Sequence, residues 1–411
     1  MTAQKVLLLV LDGISDRPCE VLQGLTPLQA ARTPVLDRIA REGICGIMDP
    51  IAPGIRPGSD TAHLSLLGYP PEKYYTGRGP LEALGTGITM EPGMIGFRCN
   101  YATLDEEGRV MDRRAGRIHD TGQLSELIRN EVDLSVWGVN FDFRSGAGHR
   151  AALAFRGEGL GACVSSNDPK KDGLIPISFK ELRDSDADRK TARALNDFVK
   201  QASVVLGSHH LNRERKSEGL APANTVLIRG AGMMGHFEPF SERFGLSGSV
   251  IAAATLINGI GTAVGLRNVT VPGATGSTDT NLGGKVQAVI RELKARDFVL
   301  LNIKGADEAG HDGNARQKKD FIEKIDTALE PLIGLEECLF VMCADHSTPC
   351  SIRDHSADPV PLVIHGEGVR TDSVSCFDEF SCAGGGILRL PGSALMPVIC
   401  DLIDRAKKYG A

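Results

Sequence analysis

Six residues of the sequence have side chains and positions suited to holding divalent cations, and a seventh could exploit them. Asp12 follows the apolar run Val6 to Leu11, and Lys304-Gly-Ala-Asp307-Glu-Ala-Gly-His311 follows Phe298 to Ile303. Asp345-His346 comes just after Leu339 to Cys343, and His355 stands nine residues further on. Three aspartates and three histidines suffice for two sites of mixed oxygen and nitrogen ligands. Two cations held close together clamp a phosphoryl group, neutralise its oxygens and lower the pKa of a bound hydroxyl. The nucleophile that such a site needs is offered by Ser59, in Gly58-Ser59-Asp60-Thr61-Ala62-His63, because a serine hydroxyl is a weak nucleophile until a base or a metal activates it. A helix opening near Asp60 would set a phosphorylated Ser59 at the positive end of the helix dipole.

Taken singly, each residue has an ordinary explanation. Asp12 reads as well as a turn residue before Gly13, and Ser59 as a helix N-cap. Asp345-His346 could close a strand by hydrogen bonding, and a lone histidine such as His355 is more often structural than a ligand. Their joint appearance at several strand ends carries the functional reading, since open α/β sheets bind ligands at the carboxyl ends of their strands.

The elements that must position these residues are legible as alternating textures. Continuous apolar runs at Val6 to Leu11, Thr225 to Ile228, Phe298 to Ile303, Leu339 to Cys343 and Pro361 to Ile364 predict strands buried on both faces of a parallel sheet. Helical periodicity predicts helices over Pro27 to Glu42, Gly248 to Gly259, Gly283 to Ala295, Arg316 to Leu332 and Ala394 to Tyr409. The fold class is therefore α/β, a mostly parallel sheet with helices on both faces. Between Phe97 and Asp184 the texture changes to polar, alternating strands (Gly96 to Leu104, Gly108 to Arg113, Arg150 to Phe155) around a helix at Thr121 to Glu131. This predicts a smaller α+β insert, residues 97–184, interrupting a catalytic domain of residues 1–96 and 185–411 and serving as its substrate-binding lid.

At 411 residues, two domains are the default. A net charge of −6 with interspersed signs excludes the basic field that nucleic acid or an anionic membrane would require, so an anionic substrate must be met by a local cluster. Ten cysteines without a Cys-x-x-Cys pair read as reduced thiols rather than disulfides or a zinc site. No apolar run approaches the roughly 20 residues of a membrane span, and the first residues run into a strand without a charged leader. The expectation is a cytoplasmic enzyme, and a homo-oligomer is compatible with it.

The set Asp12, Ser59, Asp307-x-x-x-His311, Asp345-His346 and His355 resembles that of the alkaline-phosphatase-like metalloenzymes. The closer resemblance is to the archaeal-type 2,3-bisphosphoglycerate-independent phosphoglycerate mutases. It rests on Gly58-Ser-Asp-Thr-Ala-His-Leu-Ser-Leu-Leu-Gly-Tyr69, Tyr74-Tyr-Thr-Gly-Arg-Gly-Pro-Leu-Glu82, Asn302-Ile-Lys-Gly-Ala-Asp307 and Gly384-Gly-Gly-Ile-Leu-Arg389. The resemblance implies an alkaline-phosphatase-like fold and two metals, one held by Asp12, Ser59, Asp345 and His346, the other by Asp307, His311 and His355. It also implies a phosphoserine at Ser59 that takes the phosphoryl group from 3-phosphoglycerate and returns it to the 2-hydroxyl. Asp168, in Asn167-Asp168-Pro169, matches the segment that carries an acid/base aspartate.

For the anionic substrate, Arg150 is the first candidate because a guanidinium pairs two-pronged with carboxylate or phosphate. Lys304 is the second, Arg213 and Arg215 are weaker, and Lys170 and Lys171 also read as a solvated pair. Mixed Asp/His sites accept Mn²⁺, Co²⁺, Zn²⁺ or Mg²⁺, with Mn²⁺ the first expectation. The same ligand set would serve a phosphatase or a homoserine-kinase-like phosphotransferase. A non-catalytic metal-binding scaffold would have no need of Ser59.

Overall fold

The computed structural model describes residues 5–406, 408 and 410. Its strands, in chain order, are β1 (Lys5–Leu11), β2 (Ile44–Asp49), β3 (Ile95–Leu104), β4 (Val110–Asp112), β5 (Asn140–Ser145), β6 (Arg150–Arg156) and β7 (Thr225–Met233). There follow β8 (Gly248–Ile251), β9 (Arg267–Asn268), β10 (Phe298–Ile303), β11 (Cys338–Cys343), β12 (Val360–His365) and β13 (Leu388–Pro391). The chain divides into two compact units, residues 1–75 with 237–411, and residues 76–236.

The first unit is built on an eight-stranded sheet in the order β13-β2-β12-β11-β1-β10-β8-β9. Its centre is parallel: β1 pairs with β10 and with β11, and β10 with β8. Strands β10 and β11 are buried at every position, as continuous apolar runs demand when both faces are covered. Pro361 to Ile364 lies in β12, which runs antiparallel to both of its neighbours, against the parallel expectation. An apolar run reports burial and is silent on direction. The predicted helix Pro27 to Glu42 is two helices, Pro27–Ala30 and Pro34–Glu42, because a proline ring starts a helix but cannot sit inside one. Gly248 to Gly259 opens as β8 and becomes helical only at Thr255–Ala263. The last helix ends at Leu402, and Lys407 and Tyr409 of its predicted extent lie outside the described residues.

In the second unit β3 is the axis of an antiparallel sheet, flanked by β6 on one side and β7 on the other. Thr225 to Ile228 therefore belongs to this sheet and not to the parallel one. The 23-residue helix Asp186–Ser208, unmarked in the sequence reading, covers it. Leu195 and Phe198 of that helix share one core with Phe97, Phe143, Phe155 and Ile228, which is why the unit reaches beyond 97–184 at both ends. No described helix is long and apolar enough to cross a membrane.

One half-buried acid of the first unit gives a pH test of this packing. Glu379 accepts from the Asp16 N–H at 2.9 Å and the Thr26 hydroxyl at 2.8 Å, yet burial outweighs both bonds and pushes its carboxyl up to about 7. The unfolded group titrates near 4.5, so the folded chain binds the proton more tightly and loses stability as pH rises between those values. Glu379→Gln should gain about 1–3 kcal/mol relative to the parent on going from pH 5 to pH 8, read by denaturant melts at the two pH values.

Candidate metal centre and nucleophile

The register of the three central strands decides which polar residues meet. Val10 lies opposite Cys343 and Leu11 opposite Ile303, so the same register carried past the strand ends brings Asp12 level with Asp345 and with Lys304. Gly13 turns the chain away with φ of 65°, and a side chain there would come within 2.6 Å of Asp307 Cβ. Asp307 and His311 stand one turn apart on helix Gly305–His311, directly after β10. Asp345 and His346 follow β11, and His355 lies in the loop beyond.

The six predicted ligands fall into two groups, Asp12 with Asp345 and His346, and Asp307 with His311 and His355, each with its ligand atoms within 4.8 Å of one another. Ser59 is the first residue of helix Ser59–Leu66, after Gly58 as N-cap. It is buried, and its Oγ lies 3.2 Å from His346 Nε2. The His346 and His355 rings stack at 3.6 Å between centroids, so the two groups adjoin.

Each ligand histidine is aimed by a partner on its Nδ1. His355 Nδ1 donates to Pro57 O at 2.8 Å and His311 Nδ1 to Arg353 O at 3.0 Å, since a carbonyl only accepts. Thr348 gives its hydroxyl hydrogen to Asp307 Oδ1 at 2.7 Å and so accepts from His346 Nδ1 at 3.0 Å. All three rings thereby leave Nε2 as the lone-pair nitrogen turned to the acids, the arrangement expected of histidines that bind a metal.

The carboxylates fit cations as well. Burial, reinforced by Asp345, holds the Asp12 carboxyl above its ordinary value. Asp307 is held well below despite its burial, chiefly by Lys304. Lys304 Nζ reaches Asp12 Oδ1 at 3.0 Å and Asp307 Oδ2 at 2.6 Å, so one ammonium faces acids of both groups. It does not satisfy them all, because Asp345 Oδ2 is buried without a hydrogen-bond donor. A buried carboxylate oxygen left in this state is stable only with a compensating charge, and the donor set is the oxygen and nitrogen mixture that divalent cations take.

In the second unit Asp168 accepts both prongs of Arg113, at 2.9 and 2.7 Å, together with Arg229 at 2.8 Å and the Lys170 N–H at 2.9 Å. Burial opposes ionisation, but these donors prevail and hold the carboxyl below its usual range. The group is thus held as the ionised carboxylate. Arg150 is exposed at the start of β6.

Other members of an arginine cluster escaped the sequence reading. β3 and β7 pair Arg98 directly with Arg229, and Asn100 on the same face of β3 pairs with Arg150. Like charges placed opposite one another destabilise a sheet, and here each has an acid beside it, Asp168 at Arg229 and Glu82 at Arg98. Burial, aided by Arg78, pushes Arg98 down to about 10, and its Nε, 3.8 Å from Glu82 Oε1, makes no hydrogen bond among the described residues. Arg78 lies in the Tyr74 to Glu82 motif, and its presence there was the one available signal. Arg215 holds the backbone carbonyls of Ala221 and Ala115, which gives it a structural task. Arg213 is exposed on helix His210–Ser217, and Lys170 and Lys171 are also exposed.

The fold is an α/β one whose central parallel strands carry, at their ends, two groups able to hold divalent cations. A family model described as 2,3-bisphosphoglycerate-independent phosphoglycerate mutase matches residues 40–212. The mutase of that name from Methanoculleus marisnigri is 65% identical over 411 residues, covering 100% of both chains, and that from Methanosphaerula palustris is 61% identical over 410 residues with the same coverage. Among solved structures, the PH0037 protein of Pyrococcus horikoshii superposes with a TM-score of 0.85 at 35% identity, covering 100% of each chain. The cofactor-independent phosphoglycerate mutase of Thermoplasma acidophilum gives 0.70 at 36% identity, covering 98% of this chain and 100% of its own. The chain belongs to the 2,3-bisphosphoglycerate-independent phosphoglycerate mutase family, whose members are isomerases.

Gly13→Ala tests the packing between the two groups. The added methyl meets Asp307 and Thr348, so Mn²⁺ affinity measured by titration calorimetry should fall by about tenfold or more.

Proposed function

We propose that this chain interconverts 3-phosphoglycerate and 2-phosphoglycerate without 2,3-bisphosphoglycerate, by way of a phosphoserine at Ser59. The observation that carries the reading is the place of Ser59: a buried hydroxyl at a helix N-terminus, 3.2 Å from His346 Nε2, beside the group of Asp12, Asp345 and His346. Two divalent cations, one on each ligand group and most simply Mn²⁺, would when bound neutralise the phosphoryl oxygens and make the serine hydroxyl easier to ionise.

Ser59 Oγ attacks phosphorus, the bond from phosphorus to the 3-oxygen of glycerate breaks, and the new phosphoserine lies against the first-turn N–H groups of its helix. Glycerate then turns, and its 2-hydroxyl attacks the phosphoserine to regenerate Ser59. Between the two transfers glycerate must be retained and water kept out, or the reaction ends as hydrolysis. Forked donors suit retention of a carboxylate, and Arg98, Arg229 and Arg150 lie on one face of the sheet around β3. Asp168, ionised against Arg113 and Arg229, is the assigned acceptor for the proton of the attacking hydroxyl, a weak base that gives the proton up again readily as Ser59 is regenerated. Lys304 suits the phosphoryl group once cations relieve it of the acids it now pairs with. Ten free cysteines agree with a cytoplasmic setting.

The test is conversion of 3-phosphoglycerate by Mn²⁺-loaded protein with free phosphate followed in parallel. Rapid 2-phosphoglycerate formation with little phosphate supports the mutase, and phosphate alone would replace it with a phosphatase. Ser59→Ala should lower turnover by at least about a thousandfold while the fold, read by circular dichroism, persists. A variant retaining a tenth of parental turnover would exclude the phosphoserine route.

Arg98→Met addresses the anion site separately. Loss of a charge-assisted bond worth about 1.5–3 kcal/mol should raise KM by about 10- to 100-fold, with a smaller change in kcat, in steady-state assays.

A further inference from the structure

His63 and Asn302 belong to motifs that the reaction above leaves without a task, and both are fully buried in the first unit. His63 Nδ1 lies 2.8 Å from Ser59 O, one turn back on the same helix, so that nitrogen carries the hydrogen. It also lies 3.6 Å from Asp345 Oδ2. The other ring nitrogen, Nε2, is 3.3 Å from Asn302 Nδ2. Asn302 Nδ2 lies 3.1 Å from Asp12 Oδ2, and a carboxylate there can only accept, so the amide nitrogen donates. Its two hydrogens thus serve Asp12 and His63 together. Asn302 Oδ1, by contrast, is buried with no partner. Turning the amide over would aim that oxygen at the Asp12 carboxylate. The unmatched oxygen is therefore a consequence of an orientation fixed by the two acceptors, Asp12 Oδ2 and His63 Nε2. Buried Lys285 holds the main chain at the same residue, its Nζ 3.1 Å from Asn302 O.

We propose that Asn302 and His63 are positioning residues that tie the nucleophile's helix to the metal-binding strand: Asp12 to Asn302, Asn302 to His63, and His63 to the Ser59 carbonyl. The link fixes the first turn of the helix relative to Asp12, so that Ser59 Oγ is held on His346 and not left to swing with the helix end. An aim that is set by three successive hydrogen bonds through two side chains is lost when either side chain is removed, and removing both does no further harm. Neither residue touches the phosphoryl group. The kinetic half of the proposal rests on the mutase reading, whereas its metal-binding half does not.

The experiment compares Asn302→Leu, His63→Leu, the double variant and His63→Asn, in which the amide can donate where Nδ1 does. For each, kcat and KM are measured with 3-phosphoglycerate, Mn²⁺ affinity by calorimetry, and the melting temperature. Asn302→Leu and His63→Leu should each lower kcat by about 10- to 100-fold with KM changed less than about threefold, and Asn302→Leu should also weaken Mn²⁺ binding. The double variant should be no slower than the worse single one, and His63→Asn should recover at least about fivefold over His63→Leu. Losses that multiply in the double variant, a single variant with more than half of parental kcat, or losses that follow the melting temperature without rescue by His63→Asn would overturn the proposal. If the parent itself has no mutase activity, the family reaction is wrong for this chain, and the Mn²⁺ titration still decides: unchanged affinity in Asn302→Leu overturns the link, and weakened affinity upholds it.

Discussion

Three aspartates held together out of water are the constraint from which the rest of the first unit follows. Asp12, Asp307 and Asp345 are each buried, and Lys304 is the ammonium that meets two of them. Such a concentration of negative charge is unfavourable in the bare chain and becomes favourable with cations, so the fold has to bring the acids together by means other than their own attraction. It does so with the most rigid device available, three adjacent parallel strands in fixed register. β10, β1 and β11 are buried throughout or nearly so, and their packing fixes where each polar residue after the strand must emerge.

The histidines are governed by the surroundings of that edge in a different way. Their direction comes from main-chain carbonyls remote in sequence, for His311 and His355, and from a threonine two residues on, for His346. Thr348 joins the two ligand groups, because the hydroxyl that receives His346 also donates to Asp307. A change at either group is thereby felt at the other without any movement of the sheet.

This difference accounts for what could be read from the sequence. Asp12, Asp307, Asp345 and His346 were legible because each comes immediately after an apolar run or within one turn of it, and in a parallel sheet that position alone implies a shared edge. His63 and Asn302 were not legible as a link: a buried histidine and asparagine look the same whether they fill space or bridge two elements. The strand Thr225 to Ile228 was assigned to the wrong sheet because Val226, Leu227 and Ile228 are buried in either setting. Helix Asp186–Ser208 went unseen because its apolar face is mixed with alanine and threonine, so the period is weak though the buried positions Ala192, Leu195, Phe198, Ala202 and Leu206 follow a helical spacing. The arginines were hidden for a related reason. Their meaning lies in the pairing of β3 with β7, which sets Arg98 opposite Arg229, and cross-strand register cannot be read from either strand alone.

Those arginines obey the inverse of the rule that governs the acids. In the first unit three buried acids face one ammonium, and in the second half-buried arginines share their acids: Asp168 is shared by Arg113 and Arg229, and Glu82 by Arg78 and, at 3.8 Å, Arg98. A carboxylate added to satisfy Arg98 Nε within the fold would stabilise the unit and would also close it to any anionic ligand. Within each unit the shortage of partners has the opposite sense, cations being scarce in the first and anions in the second.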